Sequence, residues 1–428
     1  MNDTIFHLKQ ITEGIGCRPA GTIQEKLAAE YMAEQFQKYG AENVTIESFQ
    51  ALTPRINRLT MNVCLHGKWE NAPALLLGCS PGTDGKIIEA EPVIFYSACD
   101  FQLPDLAQRV HGKCVIHYGT NLGSETNYRK LMEAEPAMLL FTDIRYPGNT
   151  PTGDGLLPAW CRHFGAIPSV SIAFYDLWKW VQNGLSAIRL VIDGGFELGI
   201  SHNVVADFPG EKTGVIYTGS HLDTQQGTVG ADDNASGMVT QLAIAHGLAK
   251  NRRDRRTVRQ IAFGTEEQLS VGSAAYARAH RSEIAENGIF MLNLDSCGSL
   301  LGWTDMLYVS SPECRLVWEK ILLDHGLGST CTTEPVPFID LLPFNACGVP
   351  GMWLSRKNCT SGRFYHHRPE NTSDKVSIEV IALNTECILD FLNYLNESSP
   401  EKWCFSPEIQ KKVNQLWNDF FGGWNVNL

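Results

Sequence analysis

The sequence predicts an α/β fold, a sheet covered by helices on both faces, with a smaller β-rich domain inserted into it. Three observations carry that prediction. After Asn203, strand-like and helix-like segments alternate, the pattern of a sheet flanked by helices. Between Leu52 and Leu198 the texture changes to short β-rich runs broken by turn residues. The chain's 428 residues, 43% of them hydrophobic, are enough for two or three domains and a full core. The expected division is a discontinuous domain of residues 1–51 and 199–428, with residues 52–198 as the insert.

Each element follows from local pattern. Gln24 to Gly40, QEKLAAEYMAEQFQKYG, places apolar residues at helical spacing and stops at a glycine, a common helix terminator. The strand-like NVTIESF comes next, followed by the insert's runs EPVIFYSA, KCVIHYG, AMLLFTD and AIRLVIDGG. TGVIYTGS then reads as a strand, Ser236 to Lys250 as a helix, VRQIAFGT as a strand and Ser270 to His280 as a helix. GIFMLNLDS is a strand, ECRLVWEKILLDHG a helix, VPGMWLS a strand and Ser377 to Asn396 a helix. The last 25 residues hold an amphipathic helix whose Trp417, Phe420 and Phe421 are expected to pack on the core.

Composition narrows the partners. Lys+Arg 35 against Asp+Glu 47 gives a net charge of −12, which argues against nucleic acid or an anionic membrane as partner. No run approaches the roughly 18 consecutive apolar residues of a membrane span. The start MNDTIFHLKQITEG lacks the basic and apolar regions of a secretion signal, so a cytoplasmic location is expected. Thirteen cysteines, odd in number and never spaced Cys-x-x-Cys, are expected to be reduced thiols.

Chemistry gathers at the ends of the predicted strands, where open α/β sheets form their sites. The first strand ends in His221-Leu222-Asp223, the second in Glu266-Glu267 and the third in Asp295; His367 follows the fourth, in FYHHRPENTSD. The segment YTGSHLDTQQGTVGADDNASGM adds the adjacent carboxylates Asp232 and Asp233, which need a counter-charge if buried. Taken singly, the His-x-Asp is a surface coincidence, the Glu-Glu pair a solvated helix start, and Asp232-Asp233 a turn or a helix cap. Asp295 is the hardest to dismiss, because a carboxylate ending an apolar strand is costly without a partner.

Together the types fit one chemistry. Two histidines and several carboxylates suit zinc, with manganese or cobalt as substitutes. In His-x-Asp the carboxylate can brace the imidazole, and an aspartate can bridge two cations. Of a Glu-Glu pair, one member can ligate while the other takes a proton from a metal-activated water, so hydrolysis of an amide is the expected reaction.

With GSHLDT, GADDNASG, TEE, NLDS and HHRPENTSD in this order, the sequence resembles metallopeptidase family 28, the co-catalytic zinc exopeptidases of clan MH. GCRPAGT resembles the family's opening, and VHGKCVIHYG with AIPSVSIAF resembles a protease-associated domain. The resemblance implies a mixed, mostly parallel sheet sandwiched by helices, of the zinc exopeptidase, phosphorylase/hydrolase-like kind. It also implies two Zn2+ ions. His221, Asp233, Glu267, Asp295 and His367 are then the ligands, with Asp233 bridging, and Glu266 is the general base. Asp223 becomes the partner behind His221, and His366 a donor to the developing oxyanion. Asn371 stands where the family often has aspartate, so its bracing of His367 would be neutral. A cis peptide is implied between Asp233 and Asn234.

The function implied is an aminopeptidase acting on short peptides. A carboxypeptidase, a dipeptidase or an amidohydrolase for another small amide would keep the same motifs, and Arg363 is the nearby cation that could hold a substrate carboxylate. A glutaminyl cyclase-like enzyme would work with one zinc, and a non-catalytic scaffold would be expected to lose ligands. A dimer is compatible with the sequence.

Overall fold

The computed structural model describes residues 2–144, 148, 150–249, 255–357, 365–399 and 403–426. Its main sheet has ten strands among the described residues. From one edge the order is Ser329–Thr332, Trp303–Val309, Gly351–Lys357, Gly288–Leu294, Lys212–His221, Arg256–Phe263, Leu185–Phe208, Glu42–Leu65 and Lys68–Ala72, with Ile88–Ala90 paired separately to Leu185–Phe208. The four central strands, from Gly351–Lys357 to Arg256–Phe263, run parallel, while the flanking pairs with Trp303–Val309 and Leu185–Phe208 are antiparallel. The predicted α/β class, a mixed sheet flanked by helices, is borne out.

Period-two alternation explains why both faces are covered. In Lys212–His221, Ile216 enters one core and Tyr217 the other; in Gly288–Leu294, Phe290 and Leu292 oppose Met291 in the same way. Helices Ile23–Lys38, Gly237–Ala249, Pro312–Asp324 and Ile378–Glu397 bury their apolar stripes on the first face. Val271–Ala279, Leu341–Ala346 and Pro407–Phe421 cover the second, where Trp417 is buried. Several helix starts are fixed by serine or threonine caps, at Thr22, Ser311, Ser377 and Ser406.

Two strands of 24 residues each, Glu42–Leu65 and Leu185–Phe208, pair antiparallel along their length. Ala51 faces Gly199 and Leu52 faces Leu198, so the backbone crosses the 51/52 and 198/199 positions without leaving the ladder. Beyond lies a five-stranded sheet, ordered Leu75–Leu76, Ser169–Ile172, Met138–Thr142, Cys114–Tyr118 and Pro92–Phe95. Its last four strands are parallel and alternate with short helices such as Glu125–Glu133 and Phe174–Gln182. Trp160 of this part stacks near Phe420 of the carboxyl-terminal helix, at 5.6 Å between centroids, and donates to Asp419 O over 3.2 Å.

The described cysteines are free thiols; Cys359 lies outside the described residues. Among the described residues no helix is long and apolar enough to cross a membrane.

Candidate metal centre

The strand ends meet as the alternation predicts. His221 closes Lys212–His221, and Asp295 follows Gly288–Leu294 directly. Glu266 and Glu267 follow Arg256–Phe263 by three and four residues, while His366 and His367 stand on the turn after Gly351–Lys357. Asp233 sits in the kinked helical segment Ala231–Ser236, just before the helix Gly237–Ala249, and the loop leading into it is held by the buried guanidinium of Arg18. That guanidinium, from GCRPAGT, donates to Leu222 O at 2.8 Å, Gly16 O at 2.7 Å and Val229 O at 2.9 Å. The peptide between Asp233 and Asn234 is cis, as expected.

Asp233 is the hub. Its Oδ1 lies 3.1 Å from His221 Nε2, and its Oδ2 lies 3.3 Å from His366 Nε2 and 3.5 Å from His367 Nε2. Asp295 Oδ1 is 3.6 Å from His221 Nε2, and Glu267 Oε2 is 2.8 Å from His367 Nε2. Donor atoms of His221, Asp233 and Asp295 form one group compact enough to hold a metal ion, and those of Asp233, His366 and His367 form a second. Asp232 points elsewhere: its Oδ1 accepts from Gly298 N over 2.9 Å.

Asp223 lies fully buried beneath the cluster. Its Oδ1 is 3.5 Å from His221 Nδ1, while its two oxygens accept from the backbone N–H groups of Glu266 and Glu267 at 2.9 and 3.2 Å. His221 Nδ1 also meets the backbone carbonyl of Asp223 at 3.1 Å, so Asp223 sets the imidazole and the acidic pair together. Glu266 Oε2 reaches within 3.9 Å of His221 Nε2. Asn371 does not brace His367: its side-chain oxygen accepts from Asp232 N over 2.8 Å, and among the described residues the buried His367 Nδ1 has no hydrogen-bond partner.

The electrostatics ask for a cation. Burial pushes the Glu266 carboxyl well above its ordinary range, with His221 opposing and Asp340 adding to the rise. Burial raises Glu267 also. Burial disfavours the charged form of His221, yet Asp223, Asp233 and Asp295 outweigh it and hold its pKa well above the usual value. For His367, Glu267 and Asp233 overcome burial and lift the pKa to about 9. Protons on imidazole thus balance a buried cluster of carboxylates, a place that a divalent ion fills with better geometry. Among the described residues the buried Oδ2 of Asp233 has two imidazoles near it but no hydrogen bond, which points the same way. The donor set of imidazole and carboxylate fits zinc.

Motif reading missed several residues that shape the site. Ser270 Oγ donates to Glu266 Oε1 at 3.1 Å, and Gln225 N donates to Glu267 Oε1 at 3.1 Å. Buried Asp340 stands behind Glu266, its carboxyl lifted to about 7 by burial. Glu25 accepts from Thr265 N at 3.1 Å and from Ser201 Oγ at 2.6 Å. Only Glu25 carried a local signal, sitting three residues after the cap Thr22.

Above the cluster opens a cleft of about 390 Å³. One wall is apolar, from Leu156, Leu157, Val336, Phe338, Ile339 and Trp353. The insert supplies Thr120, Asn121 and Asp154 to the rim. Arg363 lies outside the described residues.

Comparison with known proteins agrees with this geometry. Residues 203–392 match the family described as Peptidase family M28. Carboxypeptidase Q of Xenopus laevis is 24% identical over 394 residues, covering 87% of this chain and 81% of the relative. Aminopeptidase YwaD of Bacillus subtilis is 24% identical over 384 residues, covering 87% and 80%. Among solved structures, a Peptidase M28 precursor from Shewanella amazonensis superposes with a TM-score of 0.76 at 20% identity, covering 92% of this chain and 93% of that one. A zinc aminopeptidase from Bacillus subtilis gives 0.74 at 18% identity, covering 95% and 98%. At these identities the structures speak for the fold.

Proposed function

With residues 203–392 forming a peptidase family M28 domain, which makes the chain a metallo-exopeptidase, we propose that it is an aminopeptidase of short peptides working with two zinc ions. The carrying observation is the cleft lining. Asp233, Glu267 and Asp295 would be engaged by metal and Glu266 by the attacking water, which leaves Asp154 as the further carboxylate on the lining, and among the described lining residues there is no lysine or arginine. Such a surface attracts a free α-ammonium and repels a terminal carboxylate. Manganese or cobalt would serve the same donors.

In this reading His221, Asp233 and Asp295 hold one ion, and Asp233, Glu267 and His367 the other. When bound, such ions polarise a carbonyl oxygen and lower the pKa of water from 15.7 to about 7. Glu266 takes the proton of the attacking water and returns it to the leaving amine. Asp223 fixes His221 and the backbone of the acidic pair, and His366 donates to the oxyanion. The apolar wall receives the substrate side chain. Residues 52–198, as a protease-associated-like insert, restrict entry to short chains.

The likeness to carboxypeptidase Q favours a second reading, release of residues from the carboxyl terminus or cleavage of dipeptides. Hydrolysis of aminoacyl-anilides against N-blocked dipeptides, for wild type and Glu266→Gln, separates the two. Cleavage of the free-amine set alone, lost in the variant, is expected; cleavage of the blocked set alone would replace the aminopeptidase reading.

A further inference from the structure

The insert does more than border the cleft: it grips the turn that carries the paired histidines. Arg368, next to His367, is 3% exposed. Its Nη2 donates to Asp143 Oδ2 over 3.2 Å and its Nη1 to Thr150 O over 2.7 Å. Gly153 N donates to His367 O at 2.8 Å, and Thr150 Oγ1 donates to Glu370 Oε1 at 3.2 Å. All three acceptors or donors on the far side, Asp143, Thr150 and Gly153, belong to the insert.

The grip falls on a strained point. His367 has φ +56°, the left-handed region that a residue with a Cβ adopts only when its surroundings impose it. The fastening of its carbonyl to Gly153, and of its neighbour to Asp143, imposes that conformation from both sides. Gly153 also presses on Gln225, against whose Cβ a side chain at 153 would come within 2.7 Å. Gln225 in turn donates to Glu267 Oε1 and, through its side chain, to Glu267 O at 3.0 Å. Both Glu267 and His367 are thereby set from the insert. His221 and Asp295, by contrast, stand on the ends of central sheet strands.

We propose that the Asp143–Arg368 pair is a positioning device through which the insert helps to build one of two metal positions, that of Asp233, Glu267 and His367, while the position of His221, Asp233 and Asp295 is built without it. The proposal rests on the two-ion reading above. It makes the two positions unequal: loosening the insert's grip costs affinity at one and spares the other.

Zinc titration of the metal-free full chain against a chromophoric chelator tests it. Wild type is expected to take up two equivalents. Asp143→Asn is expected to weaken one equivalent at least tenfold and leave the other within about twofold. Lys113→Ala, which breaks the exposed pair of Lys113 with Glu91 elsewhere on the insert, is expected to change neither. Circular dichroism establishes that each variant is folded. If Asp143→Asn does not fold, Arg368→Lys, which keeps the charge but loses the forked geometry, is judged by the same criterion. Two unchanged affinities, or two affinities weakened alike in a folded variant, would overturn the proposal. Uptake of fewer than two zincs by wild type would instead sink the two-ion reading, and this inference with it.

Discussion

Ser270 Oγ donates to Glu266 Oε1 over 3.1 Å, from a residue whose own backbone is left-handed at φ +49°. The serine is fully buried, at the start of Val271–Ala279. It holds the proposed base in one rotamer and offers a proton donor to its charged form. A hydrogen bond to a charged group contributes about 1.5–3 kcal/mol. Ser270→Gly should therefore lower kcat by about 10- to 100-fold with KM little changed. Glycine suits this left-handed backbone and offsets part of the lost bond, so the thermal midpoint should fall by less than the bond alone implies. Equal kcat in the glycine variant would leave Ser270 a structural residue only.

Asp223 accepts from the N–H groups of both Glu266 and Glu267. In Asp223→Asn the amide nitrogen cannot accept, so one buried N–H loses its partner. Loss of that bond costs about 1–3 kcal/mol of stability. Urea unfolding of the metal-free protein should show a lower midpoint, and zinc affinity should fall with it.

Far from the cleft, His280 Nε2 meets Glu47 Oε2 at 3.0 Å and ties Val271–Ala279 to the long strand Glu42–Leu65. The hydrogen bond to Glu47 raises the imidazole's pKa, against partial burial and Arg259. A raised folded pKa means that the pair's stabilisation is complete below the unfolded value near 6.5 and fades as pH climbs through the folded one. Glu47→Gln should thus cost up to about 1 kcal/mol at acidic pH and less at alkaline pH. Urea midpoints for both proteins on either side of neutrality measure the difference. A cost that grows with pH would contradict the assignment.

Trp417 is 1% exposed, stacks on Phe421 at 5.0 Å and lies under the Arg278 guanidinium at 4.8 Å. Truncation to alanine leaves a large void, at a cost of about 3–5 kcal/mol. Denaturant unfolding of Trp417→Ala should reveal it. Because Phe420 on the same helix touches Trp160, proteolysis of the insert should quicken as well.

How far the sequence discloses the molecule depends on the range of the interaction. The alternation after Asn203 comes from strands and helices long enough to show their periods, and it placed the central sheet correctly. Trp303–Val309 and Ser329–Thr332 went unread, because an antiparallel strand and its short edge partner break the strand-helix rhythm. The insert's helices run only five to nine residues, too short for a helical period to stand out. His221, Asp233, Glu267, Asp295 and His367 were legible as motifs because each sits beside a strand end or a helix start. Ser270, Asp340 and the Asp143–Arg368 pair were not. Asp143 and Arg368 stand 225 residues apart, and only the folded backbone makes them neighbours.

The long paired strands have one more consequence. Leu65 and Leu185 are register partners, so the chain departs for the insert and comes back from it at adjacent points. Topologically, what lies between them is carried at the tip of a hairpin, apart from Lys68–Ala72 and Ile88–Ala90, which turn back to pair along its two strands. A hairpin tip accepts extra chain at the price of loop closure alone, which grows only logarithmically with length. A change in the module's length at that tip leaves the pairing of Glu42–Leu65 with Leu185–Phe208 in place, while Lys68–Ala72 and Ile88–Ala90 fasten the module's own chain back to the ribbon. The grip on Arg368 is what ties such a passenger to the working part of the molecule.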